Sequence, residues 1–282
     1  MNQNVKQTIM KRIQDIESQF DAPLSLPDRE NICLSAYQDL KSFSTRDPSS
    51  HNDMLYIFSA YLSYKAVLYY RIAHELHING DIINARRISE YAKLKTGIEI
   101  HPACVIGKRF VLDHGIGTVI GETTVIGDDC YVLQSVIFGS KHIACNKEIK
   151  RHPVIGNNVE VGGHVKIYGN VKIGNHVIIG PGAIIKEDIK DHSKVVVATD
   201  YQIQRGNSRI LFTGYKEFQN QITVYFKNAD LSELNNIKVY SNDVALPFSV
   251  NENSIKFYKC SNNSKYYRFI FSGEDAIDIC IR

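Results

Sequence analysis

The chain has no long apolar run. No uncharged stretch of its 282 residues approaches membrane-spanning length, and the first twenty, MNQNVKQTIMKRIQDIESQF, lack the apolar centre of an export signal. A soluble, cytoplasmic protein is therefore expected. Cysteine is scattered: Cys33, Cys104, Cys130, Cys145, Cys260 and Cys280 form no CxxC pair, which argues for free thiols in a reducing compartment rather than a disulfide framework. The histidines show no HExxH or similar spacing, so no metal is expected. Net charge is only +3, with no long basic run, too little to imply a nucleic-acid partner. What remains is a chain of ordinary hydrophobic content, 44%, long enough for two or three compact units.

What is present is a period of six. Ile155, Val161, Ile167, Ile173, Ile179 and Ile185 recur six apart, with Val159, Val165, Val171, Val177, Ala183 and Ile189 four places behind each. This fits neither a free helix nor an isolated strand, but it fits a hexapeptide β-helix whose short strands stack into walls. Ile120, Ile126, Val132 and Phe138 carry the same beat earlier, and a two-residue slip separates Leu112 from Ile120. The beat stops between Phe138 and Ile155. Residues 140–154 are polar, basic and unperiodic, and read as a loop thrown out from the coil, a usual place for function in repeat proteins.

Before the coils, residues 3–19, 28–42, 53–78 and 82–95 read as helices, with Pro27-Asp28 opening the second and Asn79-Gly80 closing the third. After them, alternating runs at Ile222–Phe226, Ile255–Phe257 and Tyr267–Phe271 read as a small antiparallel β unit, its aromatics expected in the core. The expected fold is mixed α+β: a helical domain (1–96), a β-helix (97–207, with the loop 140–154) and a small β domain (208–282).

Two polar clusters stand out. Glu99, His101, Asp113, His114 and Glu122 fall in GIEIHPACVIGKRFVLDHGIGTVIGET, and Arg151-His152-Pro153 closes the loop. His114 sits at the two-residue slip, a combination that a structural coil does not need.

From about Ser44 to Ile189 the chain resembles the serine O-acetyltransferases of the hexapeptide-repeat acyltransferase superfamily. The strings that carry the likeness are TRDP (45–48), YRIAHEL (70–76), GIEIHP (97–102), LDHGIGTVIGET (112–123), QSV (134–136), RHPVIG (151–156) and GNVKIG (169–174). The resemblance implies a left-handed β-helix, acetyl-CoA as co-substrate, and an active site between subunits of a homotrimer that pairs into a hexamer through the helical domain. It implies that His114 is the general base, oriented by Glu99, and that the acceptor hydroxyl attacks the thioester directly. Asp47 and Asp113 match carboxylates on the serine side of the site, Arg151 the cation that holds the serine carboxylate, and His152 a second substrate-contacting histidine. Gly139, Gly163 and Pro181 match positions along the pantetheine channel.

The chain departs from the family pattern in three places. Ile137-Phe138-Gly139-Ser140 replaces a Leu-Gly-Gly-Thr string, which puts bulk near the thiol end of the donor channel. Ala198-Thr199-Asp200-Tyr201-Gln202 replaces a Gly-x-Pro-Ala-Arg/Lys turn, with Arg205 as a substitute cation. The appended β unit replaces the short tail ending in isoleucine, so no cysteine synthase complex of the usual kind is expected. These departures keep two other readings open: O-acetylation of a sugar or surface polysaccharide, and a scaffold that has lost the donor site.

Overall fold

The computed structural model describes residues 2–142, 150–197, 201–205, 209–259, 266–271 and 276–281. It divides into two compact units, Met1–Val197 and Ala198–Arg282. The first opens with helices α1 (Gln3–Phe20), α2 (Leu26–Arg46), α3 (Met54–Ala60), α4 (Leu62–Ile78) and α5 (Ile82–Thr96). Helix α2 begins ahead of the expected Asp28 because Ser25 and Asp28 form a reciprocal capping box around Pro27. The single helix expected over 53–78 is broken at Tyr61, which is extended (φ −82°, ψ 116°) and joins α3 to α4.

The coil follows the six-residue beat. Sheet A contains Glu99–Ile100, Val119–Ile120, Ile137–Gly139, Lys166–Tyr168 and Ile184–Ile185. Sheet B contains Val105–Ile106, Val125–Ile126, Val154–Ile155 and Lys172–Ile173. Sheet C contains Val111–Leu112, Tyr131–Val132, Glu160–Val161, Ile178–Ile179 and Lys194–Val195. The chain visits A, B and C in turn, and every pairing is parallel, the walls of a left-handed parallel β-helix. Every aliphatic anchor points inward and is buried. Phe138 lies in register between Ile120 and Ile167 and is fully buried. Its bulk therefore fills the coil interior, as its place in the six-residue beat implies, rather than standing toward a donor channel.

The edge between sheets B and C is held by a polar ladder. Oδ1 of Asp128, Asn157, Asn175 and Asp191 accepts the backbone N–H of Lys108, Asp128, Asn157 and Asn175 respectively, one coil before, at 2.8–2.9 Å. This ladder explains why glycine precedes Asp128, Asn157 and Asn175. A Cβ on Gly127 would stand 2.4 Å from Asn157 Oδ1 and 2.7 Å from the Gly156 carbonyl. Gly127→Ala should therefore lower stability by about 1–3 kcal/mol, read as a reduced denaturant midpoint; an unchanged midpoint would show that the ladder yields freely.

The helices are tied to the first coil by buried polar bonds. Arg71 of α4 donates to both carboxylate oxygens of Asp39 of α2 (3.0 and 3.2 Å) and to the Ile106 and Gly107 carbonyls (both 2.6 Å), while Asp39 accepts the Phe110 N–H (2.9 Å).

The second unit has two antiparallel sheets. One runs in the order Tyr201–Arg205, Ala276–Ile281, Tyr266–Ile270, Lys238–Ser241, Val244–Ala245. The other runs Leu211–Phe218, Gln221–Lys227, Ser254–Tyr258, Phe248–Asn251. The strand Tyr201–Arg205 pairs with Ala276–Ile281, so it belongs here and not to the coil domain expected to reach residue 207. Ile222, Val224, Phe226, Phe257, Tyr267 and Phe269 are buried together, so these aromatics are core. No helix among the described residues is long and apolar enough to cross a membrane.

Candidate active site

The edge between sheets C and A carries the first polar group. The slip is real: Leu112 pairs with Val132 and Ile100 with Ile120, twenty residues apart, whereas Ile120 pairs with Phe138 at the regular eighteen. The two additional residues form a tight turn closed by Gly115 N–H to the Asp113 carbonyl (2.7 Å) and Ile116 N–H to the His114 carbonyl (2.9 Å). His114 takes a left-handed backbone conformation (φ 58°), and its side chain is 70% exposed. The inserted turn thus carries an exposed imidazole on this edge.

Asp113 stands beside it. Its Oδ1 accepts the His114 amide (2.8 Å), its Oδ2 accepts the Tyr131 hydroxyl (2.8 Å), and His114 Nε2 lies 3.7 Å from Oδ2. Asp47, at the end of α2, repeats the arrangement. Its Oδ1 accepts the Ser49 amide and hydroxyl (2.9 and 2.7 Å), and its Oδ2 accepts the Tyr61 hydroxyl (2.9 Å). Burial is the strongest single influence on Asp47 and opposes its charge. The Ser49 and Tyr61 donors and the electrostatic influence of His114 together outweigh it and hold the carboxyl below its ordinary pKa. Ser49, Tyr61, Leu62, Ser63, Asp113 and His114 line a cavity of about 250 Å³.

The second polar group lies on a different edge, between sheets A and B. His101, Glu122-Thr123 and Arg151-His152 occupy this edge in successive coils, each following a sheet A strand and preceding a sheet B strand. Arg151 is paired with Glu122, whose carboxyl is held below its ordinary pKa chiefly by that bond. His152 is buried. Its Nδ1 accepts the Thr123 N–H (3.1 Å), so the neutral ring carries its proton on Nε2. Burial, reinforced by Arg151, pushes its pKa down to about 4, and the ring is neutral at neutral pH. Gly121 makes room for it, since a Cβ there would lie 2.2 Å from the His152 ring.

The structure thus brings Asp47, Asp113 and His114 together, and separately Glu122, Arg151 and His152. It does not bring the two groups together within one chain. Glu99, expected to orient His114, forms an ion pair with Lys93 of α5 (2.6 Å), and the carboxylate 3.7 Å from the imidazole is Asp113. Gly163 and Pro181 lie on the His114 edge in later coils, with the Gly163 carbonyl accepting the Gly182 N–H (2.9 Å). Gly139 ends its sheet A strand against the Tyr168 ring. Beyond it, Ser140, Lys141, His142, Tyr168 and Lys186 line a cavity of about 560 Å³. The turn expected to matter for the donor falls on residues 198–200, and the side chains of 201–205, Arg205 included, also lie outside the described residues, as does the loop centre 143–149.

Sequence reasoning missed Tyr61 and Tyr131. Tyr131 left a weak signal, an aromatic at the outward position just before the anchor Val132. Tyr61 left none, because it reads as one more apolar residue inside a helix.

The coils define the chain as a hexapeptide-repeat transferase, and the family model described as Bacterial transferase hexapeptide (six repeats) matches residues 152–187. The relatives are more particular. The serine acetyltransferase of Staphylococcus epidermidis is 37% identical over 172 residues, 61% of this chain and 79% of its own length. That of Staphylococcus aureus is 36% identical over the same span and shares. The chain belongs to the serine acetyltransferase family. Among solved structures, serine acetyltransferase isoform 3 of Entamoeba histolytica, in complex with cysteine, aligns with a TM-score of 0.57 and 34% identity over 66% of this chain and 69% of that one. The Neisseria gonorrhoeae enzyme in complex with serine aligns with a TM-score of 0.58 and 29% identity, covering 66% and 72%.

Proposed function

We propose that the protein transfers the acetyl group of acetyl-CoA to the hydroxyl of L-serine, with His114 as general base. The observation that carries this reading is the 250 Å³ cavity lined by Asp113 and the exposed imidazole of His114, with the Asp47 carboxylate bonded to Ser49 and Tyr61 of its wall. A small acceptor bearing an ammonium beside its hydroxyl suits that combination, whereas a neutral sugar offers two anions only hydroxyl donors and no compensating charge. His114 takes the hydroxyl proton as the oxygen attacks the thioester carbonyl, and the CoA thiolate leaves. Arg151 holds the acceptor carboxylate, and His152 presents its Nε2–H to the same molecule. Backbone along the His114 edge at Gly163 and Pro181, with Gly139, lines the pantetheine arm, and Lys141 and Lys186 meet the donor's phosphates.

Because His114 and Arg151 occupy different edges of the coil, the complete site joins one edge of one subunit to another edge of its neighbour, as in a cyclic homotrimer. The test is thiol release from acetyl-CoA with His114→Ala and Arg151→Ala proteins, assayed separately and after co-expression. Each variant alone should be nearly inactive with L-serine. Randomly mixed trimers should recover about a quarter of the wild-type sites, since one site in four combines an intact edge from each parent. No recovery would overturn the shared site. Release by the wild type with a saccharide but not L-serine would move the acceptor to a glycan, and no release with either would leave a scaffold.

A further inference from the structure

We propose that Tyr131 is a positioning residue of the acceptor site, acting through Asp113 on His114. The kinetic part of this inference rests on the function proposed above.

Tyr131 stands at the first position of its sheet C strand, one coil beyond Val111, and packs half-buried against the helical core. Its hydroxyl reaches back one coil to Asp113 Oδ2 at 2.8 Å. The ring is clamped from outside by Arg46, whose guanidinium lies over it at 4.7 Å and bonds to the Asp129 carbonyl (3.0 Å) and Glu160 (3.3 Å). Arg46 is the chain neighbour of Asp47. One dipeptide at the end of α2 therefore supplies both the clamp on Tyr131 and a carboxylate bonded to the cavity wall at Ser49 and Tyr61.

The bond has a directional consequence. A carboxylate only accepts, so the phenol must donate, and burial and Asp113 both raise the phenol pKa and keep it protonated. With Oδ2 held by Tyr131, Oδ1 is left on the His114 amide, which supports the left-handed turn that exposes the imidazole. Without the phenol, Oδ2 is free to turn onto His114 Nε2, only 3.7 Å away, and the nitrogen that should take the acceptor proton becomes occupied. Tyr61 holds Asp47 in the same way, so both carboxylates are fixed before any acceptor arrives.

Tyr131→Phe tests this, because phenylalanine keeps the ring, its packing and the Arg46 stacking, and removes only the donor. The expected result is a fall of about tenfold or more in kcat/KM for L-serine, with KM for acetyl-CoA within about twofold of wild type. The loss should not add to that of Asp113→Asn in the double variant. In ¹H–¹⁵N spectra of the full-length protein, the His114 amide should shift upfield and exchange faster with solvent. Unchanged serine kinetics, equal losses for both substrates, or an unmoved His114 amide would each overturn the proposal. Should the wild type fail to acetylate L-serine, the functional reading fails, while the amide measurement, which needs no substrate, still decides the role of Tyr131.

Discussion

His114→Ala should lower kcat/KM for L-serine by about 10²–10⁴ while leaving the folded protein intact. The chemical reason is that a neutral hydroxyl is a poor nucleophile toward a thioester, and this is the one imidazole among the side chains lining the 250 Å³ cavity. The structural reason is that the ring is 70% exposed and leaves no core cavity when removed. Its backbone is left-handed, so His114→Asn, which tolerates that conformation, is the companion variant. Both should melt close to wild type and both should lose thiol release. Activity within tenfold of wild type in both variants would sink the role of His114. His152 cannot take over the task, because its Nδ1 is occupied by Thr123 and its Nε2 carries a proton.

The second large effect concerns stability. Arg71→Ala should cost about 3–5 kcal/mol, because it leaves the Asp39 carboxylate buried without its cation and strips the donors from the Ile106 and Gly107 carbonyls. For a unit of this size the midpoint of thermal unfolding should fall by roughly 10 °C or more. Asp39→Ala should behave similarly, and it also orphans the Phe110 amide. Combining Arg71→Met with Asp39→Leu should recover part of the loss, since no lone charge is then buried. A shift of only one or two degrees for Arg71→Ala would mean that water reaches Asp39 and that this pair does not tie the helices to the coil.

The comparison with sequence is clearest at single residues. Each anchor of the six-residue beat, from Ile120 to Ile185, is buried where the period put it, since stacked coils shut their inward side chains off from water. The slip before Ile120 was visible as a broken count and became the turn that exposes His114. Helix α4 was visible in its apolar spacing, but the break at Tyr61 was not. Nothing in the local sequence opposes a continuous helix there, and the break places the Tyr61 hydroxyl on Asp47 across fourteen residues. Glu99 matched a family carboxylate and yet its nearest cation, Lys93, lies on α5, a contact set by how that helix meets the first coil. Phe138 carried two readings, bulk near the thiol end of a channel and an anchor of the six-residue beat, and the strand turns it inward as the beat implies.

The sequence by itself determined the walls of the coil, the place where they are interrupted, and the residue types available on the edges, because all three depend on periodicities of a few residues. Only the tertiary structure decided that Asp47, Asp113 and His114 share one edge while Arg151 and His152 occupy another. It also decided that Arg71 and Asp39 lock helices to coil, and that two tyrosines hold the two carboxylates. The bonds among them join residues fourteen, eighteen and thirty-two positions apart, and their geometry follows from the sum of all the turns between them, which no local pattern encodes.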